Sequence, residues 1–293
     1  MSRTRTINIA ALNIAMHAPH SPDKYIDFIM DAFWLRDRVK LSNVHYAMIG
    51  SAYLKEEPNF EQEINGEFFR FVKIDPDEPW FNELTKEPAT NLEKNEIRIP
   101  SHLLSNLQRI PFIFYPSSHR LYVVTKDKKD NMSPKTVKKI LDNIFERISL
   151  EKNYPEVVVT VIPSEESVDK ILKISKLERL SIELVRPNAD DGFSDEVAIM
   201  SLLEKQCAAK LTQEMTSTRN GSLTPNDSTI KLAYVASRNG KVTGEGRDQY
   251  GVKIKESTEE IPLIKQAKVD SNIETVRNVL KRVADNWENK KNV

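Results

Sequence analysis

The chain has 293 residues, with 43 Lys or Arg balanced by 43 Asp or Glu, so its formal net charge is zero. Neutrality excludes a surface coated in positive charge and confines any nucleic-acid contact to a local patch. A single cysteine, Cys207, excludes an intramolecular disulfide and a thiolate metal cage, and it reads as a small core residue.

From the N-terminus, an apolar run interrupted by Asn8 and Asn13 is too short and too polar for a signal or a membrane span, which predicts a cytoplasmic protein. Ile7 to Met16 reads as a buried strand, and Pro22 opens a helix with Tyr25, Ile26, Ile29, Phe33 and Trp34 on one face. Val44 to Leu54 and Glu67 to Ile74 are strand-like, and the polar segment between them carries Asn65-Gly66, so they are expected to pair as a hairpin. Asp75 to Pro100 reads as irregular with a short helix near Trp80 to Leu84, followed by strands Pro111 to Tyr115 and Arg120 to Thr125 across a Pro-Ser-Ser turn. Ser133 caps the next helix, Pro134 takes its first position, and Val137, Ile140, Leu141, Ile144, Phe145 and Ile148 form a continuous apolar stripe.

Asn153-Tyr154-Pro155 marks the expected boundary between an N-terminal α+β domain, residues 1–153, and a C-terminal α+β domain, residues 154–293. Strand Val157 to Ile162, a short helix from Ser164 with Val168, Ile171 and Leu172 inward, and strand Leu180 to Val185 have the spacing of a parallel crossover. Ser194 caps a long helix holding Val197, Met200, Leu203, Cys207 and Leu211, and Arg219 to Ser228 is a polar loop. Ile230 to Ala236 and Val252 to Lys255 read as strands of a glycine-rich hairpin, with Asn239-Gly240 able to take a type I′ turn. The last helix, Ser271 to about Glu288, has Glu274 at capping-box spacing and Ile273, Val276, Leu280, Val283 and Trp287 as its buried face. The expected fold is α+β, two domains, each a mostly antiparallel sheet with packed helices.

Two basic concentrations stand out. Gly240, Gly244, Gly246 and Gly251 are half of the chain's eight glycines, and Arg238, Lys241, Arg247, Lys253 and Lys255 are threaded among them. Glycine lets a backbone lie close to a ligand, so this ribbon suits a nucleic-acid backbone; the alternative is a bulged hairpin with a solvated charged face. Lys126, Lys128, Lys129, Lys135, Lys138 and Lys139, relieved by Asp127 and Asp130, run from a loop into a helix start and suit phosphate or solvent. Asp190, Asp191, Asp195 and Glu196 sit where helix electrostatics favour carboxylates and where magnesium ligands also occur. His17 and His20 flank Ala-Pro without a supporting Cys or carboxylate nearby. No P-loop, Gly-x-Ser-x-Gly elbow or His-Glu-x-x-His helix is present.

Ile182-Glu-Leu-Val-Arg-Pro-Asn-Ala-Asp-Asp191, the Asn-Gly segment with Gly244-x-Gly246-x-Asp248, Ser257-Thr-Glu-Glu-Ile-Pro-Leu263 and Ile113-Phe-Tyr-Pro-Ser-Ser-His119 resemble a bacterial family known as a domain of unknown function, number four-seven-four-seven. Such proteins occur among bacterial defence genes, and the order of elements in the second half is also similar to the RexA protein of the lambdoid phage exclusion system. The resemblance implies a two-domain homodimer that binds DNA and acts with a membrane partner, and it carries over no catalytic residue. The expected function is therefore non-catalytic binding of nucleic acid, duplex DNA foremost, in anti-phage defence of the abortive-infection type, with no cofactor and no small-molecule substrate. The alternatives are a metal-dependent nuclease or other toxin enzyme using Asp190, Asp191 and Asp195, and a protein-interaction subunit.

Overall fold

The computed structural model describes residues 4–17, 21–55, 62–164, 166–185, 199, 201–203 and 205–289. Its organising element is strand β1 (Thr4–Met16), which is apolar on both faces. Ile7, Ile9 and Ala11 join one core, while Ala10, Leu12, Ile14 and Met16 join another on the opposite side. A strand buried on both faces needs a cover on each. Around it lies an antiparallel sheet in the order β10 (Val157–Val161), β1, β8 (Arg120–Asp127), β7 (Ser105–Tyr115), β4 (Glu63–Val72), β3 (His45–Lys55), β2 (Val39–Lys40). Strand β15 (Ile264–Asp270) also pairs with β1, and β9 (Asp130–Asn131) pairs with β8.

Helices α1 (Pro22–Trp34) and α3 (Pro134–Lys152) cover the first face. Each starts with a serine whose hydroxyl accepts a backbone N–H, Lys24 N to Ser21 and Thr136 N to Ser133, followed by Pro at the first turn. The stripe expected on α3 is fully buried, and the helix ends at Asn153 in the left-handed region, φ 55°. Helix α6 (Val276–Asn289) covers the second face with Val279, Leu280 and Ala284. A separate four-stranded antiparallel sheet, in the order β12 (Lys210–Thr216), β11 (Lys176–Val185), β13 (Gly240–Arg247), β14 (Lys253–Ser257), packs one face on α4 (Glu166–Leu172) and α5 (Asp227–Arg238).

The α+β class and the antiparallel pairing are as expected, but the division after Asn153 does not coincide with the sheets. Strands β10 and β15 and helix α6 all return to the first sheet, because β1 offers them an unpaired edge and an uncovered apolar face. No parallel crossover forms, since β10 and β11 lie in different sheets. Asn65-Gly66 is not a turn but the middle of β4, where a Cβ on Gly66 would stand 2.3 Å from the Phe112 ring. The helix expected near Trp80 is a two-residue hairpin, β5 (Phe81–Asn82) with β6 (Glu87–Pro88), and a capping box at Thr90 and Glu93 starts α2 (Asn91–Asn95) beyond it.

The helix start expected at Ser194 lies outside the described residues. Cys207 is exposed rather than in the core, and Leu211 belongs to β12. The last helix starts at Val276, with Asn278 N bonded to Thr275 at 3.2 Å; Ser271 instead accepts from Arg5, and Ile273 is solvent-exposed. Ile144 is 1 % exposed. Ile144→Ala should cost roughly 2–5 kcal/mol in a urea melt, and a loss below about 0.5 kcal/mol would contradict its place in the core.

Candidate functional site

The glycine-rich segment is built differently from its sequence pattern. Ile230 to Ala236 is the inner part of helix α5, which Asn226 caps by accepting Thr229 N at 2.9 Å. Short apolar runs suit either period, and here the cap decides. Asn239 ends the helix at φ −125° and Gly240 begins β13, so no type I′ turn forms there. The hairpin turns instead at Asp248 to Val252, where Asp248 accepts both Tyr250 N and Val252 N at 2.9 Å and Gly251 supplies φ +82°. The strand glycines accommodate the protein's own chain. A Cβ on Gly244 would lie 2.6 Å from Ile171, one on Gly246 2.1 Å from the Lys176 carbonyl, and one on Gly240 2.1 Å from the Glu183 carbonyl.

The cations of this segment are largely spoken for. Lys241 pairs with Glu259 at 3.2 Å, Arg247 with Glu178 at 3.3 Å and with the Gly251 carbonyl at 2.9 Å, and Lys255 with Glu245 at 2.6 Å. The Lys255 bond holds the Glu245 carboxyl below its ordinary pKa. Arg179–Glu214 and Lys210–Glu183 continue the alternation on β11 and β12, giving a sheet face of mixed sign. Arg238 is half-buried at the helix end, and Lys253 is exposed.

The lysine run lies at one end of the first sheet. Lys126 closes β8, Lys128 (φ 52°) and Lys129 form the turn into β9, and Lys135, Lys138 and Lys139 lie on the first turns of α3. Lys138 pairs with Asp142 at 2.7 Å and Lys135 with Glu260. Lys241 and Lys135 thus meet adjacent carboxylates, Glu259 and Glu260, so the two basic segments converge on one acidic turn. Lys126, Lys128, Lys129 and Lys139 are exposed, and none makes a carboxylate bond among the described residues. Asp127 is taken by Arg5 at 2.6 Å, and burial raises the pKa of Asp130 against the lowering fields of Lys129 and Lys128.

A second charged assembly stands apart from both basic segments. On β4, Glu63, Asn65 and Glu67 share the face that looks towards α6, with Glu63 and Asn65 only 3 % exposed. Glu63 accepts from Asn65 at 3.0 Å and pairs with Lys281 at 2.7 Å; Lys281 also reaches Asp285 at 2.9 Å. Burial works to lower the Lys281 pKa, but these two carboxylates outweigh it and hold the ammonium above its ordinary value. Glu67 takes Arg109 at 2.6 Å and Arg277 at 3.4 Å. Tyr115 donates to Asp285 at 2.5 Å and Tyr122 to Glu288, and burial first, then these carboxylates, drives both phenols far above their usual range. Sequence reasoning missed this assembly. The alternation Glu-Ile-Asn-Gly-Glu at 63–67 was the available signal, since it puts three polar residues on one face of an interior strand.

Asp190, Asp191, Asp195, Glu196 and His20 lie outside the described residues. Among the described residues no group of three or more His, Cys, Asp or Glu is placed to hold a metal ion, and His17 stands 3.8 Å from Glu156. No described helix is long and apolar enough to cross a membrane. A family model described as Domain of unknown function (DUF4747) matches residues 5–285, from β1 through α6, and the chain belongs to that family. No curated protein matches it.

Gly246→Ala should lower stability by about 1–3 kcal/mol, because the new methyl meets a backbone carbonyl that has to move; an unchanged chemical melt would show that the strand does not pack as described. Folding also retains the Tyr115 and Tyr122 protons. Because these phenols titrate higher in the folded chain than in the unfolded one, near 10, their contribution is complete below that pH and is lost as pH rises beyond it. Tyr115→Phe with Tyr122→Phe should flatten the alkaline decline of the unfolding free energy, and an identical decline in parent and variant would contradict the assignment.

Proposed function

For this member of the family we propose nucleic-acid binding without catalysis, with duplex DNA as the foremost partner and the lysine-bearing end of the first sheet as the principal contact. The observation that carries it is the contrast between the two basic segments. Lys241, Arg247 and Lys255 already face carboxylates, so a phosphate has to compete with ion pairs there. Lys126, Lys128, Lys129 and Lys139 project from a turn and an adjoining helix start and make no carboxylate bond among the described residues. Lysines so placed release condensed counterions when they meet a phosphate backbone, which drives sequence-independent binding. Backbone contact of this kind needs no base-edge readout and no net positive charge on the whole chain. Work in anti-phage defence, as a homodimer with a second subunit in the membrane, is the role supported by the resemblance to defence-associated and RexA-like proteins.

Electrophoretic shift titrations at several salt concentrations test the reading. Replacing Lys126, Lys128, Lys129 and Lys139 with Gln should weaken duplex binding and make the slope of log affinity against log salt shallower by about 0.9 for each phosphate no longer neutralised. The fold should persist, since exposed lysines add little to stability. A folded quadruple variant with unchanged affinity and slope would overturn the assignment.

A further inference from the structure

Strands β3 and β4 and helix α6 line an open groove of about 570 Å³, within the range of roughly 300–1,000 Å³ of small-molecule sites. Two cross-strand pairs form one wall, Tyr53 opposite Asn65 and Lys55 opposite Glu63. The other wall is a single strip of α6, Arg277, Asn278, Lys281, Arg282, Asp285 and Asn286, whose spacing places them along one side of the helix. The apolar residues Val279, Leu280 and Ala284 on the same helix pack in the second core, and from the strip Asp285 reaches towards it to accept from Tyr115.

The groove has a polarity. At its buried end, Glu63 and Asp285 share Lys281, Tyr115 donates to Asp285, the amide of Asn65 donates to Glu63, and Lys55 stands across from Glu63 on β3. That end accepts hydrogen bonds from hydroxyl or amino groups. At the outer end stand the half-exposed side chain of Arg282, bonded to Glu274 at 3.1 Å, and that of Arg277, which pairs with Glu67 at 3.4 Å, donates to the Tyr53 hydroxyl and lies 5.4 Å from the centre of the Tyr53 ring. The Tyr53 ring itself is 42 % exposed. Keeping Glu63 and Asn65 under a helix costs desolvation that an apolar pair would avoid, so their presence needs a reason other than stability. A ligand complementary to this groove is anionic at one end, donor-rich at the other, and offers a flat ring to an aromatic side chain.

We propose that this groove binds a mononucleotide, with phosphate drawing Arg277 and Arg282 from Glu67, which keeps Arg109, and from Glu274, the base against Tyr53, and sugar hydroxyls or a base amino group at Glu63 and Asp285. Sugar phosphates share the anionic and hydroxyl chemistry but lack the ring. This site is independent of the lysines assigned to duplex binding, and it runs against the expectation that no small molecule is bound.

Calorimetric titration of the full chain with AMP, ATP, ribose 5-phosphate and inorganic phosphate tests it. The nucleotides should bind at least about tenfold more tightly than ribose 5-phosphate, with inorganic phosphate weaker still, one well-placed contact being worth on the order of a factor of ten. Arg282→Ala should weaken nucleotides and ribose 5-phosphate alike by about tenfold, whereas Tyr53→Leu should erase the preference for nucleotides and leave ribose 5-phosphate unchanged. Both side chains are substantially exposed, so the fold should tolerate the changes, and a melt of each variant checks this. The lysine quadruple variant should bind nucleotide as the parent does, so failure of the duplex reading leaves this one standing. No nucleotide binding at millimolar concentration, equal affinity for nucleotide and inorganic phosphate, binding unchanged in both groove variants, or binding abolished in the lysine variant would each overturn the proposal.

Discussion

β1 is paired on both edges and covered on both faces, and the rest of the first sheet depends on that. One edge carries β8; the other is shared, with β15 along Thr4 to Ala10 and β10 along Leu12 to Met16. Residues from the beginning, middle and end of the chain thus meet on one strand. The placement of β15 delivers α6 to the second face, where Val279 and Leu280 close the core made by Ile7, Ile9 and Tyr122. The excursion between β10 and β15 is then left to make its own sheet, with its own core between α4, α5 and β11 to β13.

The same closure produces the charged layer. α6 is wider than the apolar ground beneath it, so one side rests on the second core and the other overhangs β3 and β4. Under the overhang Glu63, Asn65 and Glu67 form a buried polar face on β4. Each carboxylate of Glu63 and Glu67 has a cationic partner and the phenols of Tyr115 and Tyr122 have carboxylate acceptors. Paired in this way, Glu63 and Glu67 join β4 to α6 through Lys281 and Arg277.

Elements whose period, cap and apolar stripe agree were legible in the sequence. α3 shows all three in Ser133, Pro134 and the run from Val137 to Ile148, and the hairpin of β7 and β8 announces itself by two apolar strands across Pro-Ser-Ser. Two of the misreadings arose because distant partners decided local signals, and one because a nearby cap went unread. Asn65-Gly66 has turn chemistry, yet Phe112 from β7 packs across that glycine. Ile230 to Ala236 fits a strand as well as a helix, and Asn226 settles it. Gly244 and Gly246 suggest a ligand lying close, whereas Ile171, Ile174 and Lys176 occupy that space. The glycine segment drew attention by composition; the groove beside α6, whose residues are ordinary in composition and drawn from opposite ends of the chain, did not.

Charge on the surface is a question of neighbours rather than of count. Five cations decorate the glycine segment, but carboxylates from β11, β13 and the turn after β14 sit opposite three of them, whereas the lysine turn between β8 and β9 projects past its acids. The most direct test of this distinction is amide hydrogen exchange of the full chain with and without duplex DNA. Added protection is expected at residues 126–131 and over the first turns of α3, with β13 and β14 unchanged. Protection confined to residues 240–257 would contradict that placement of the contact.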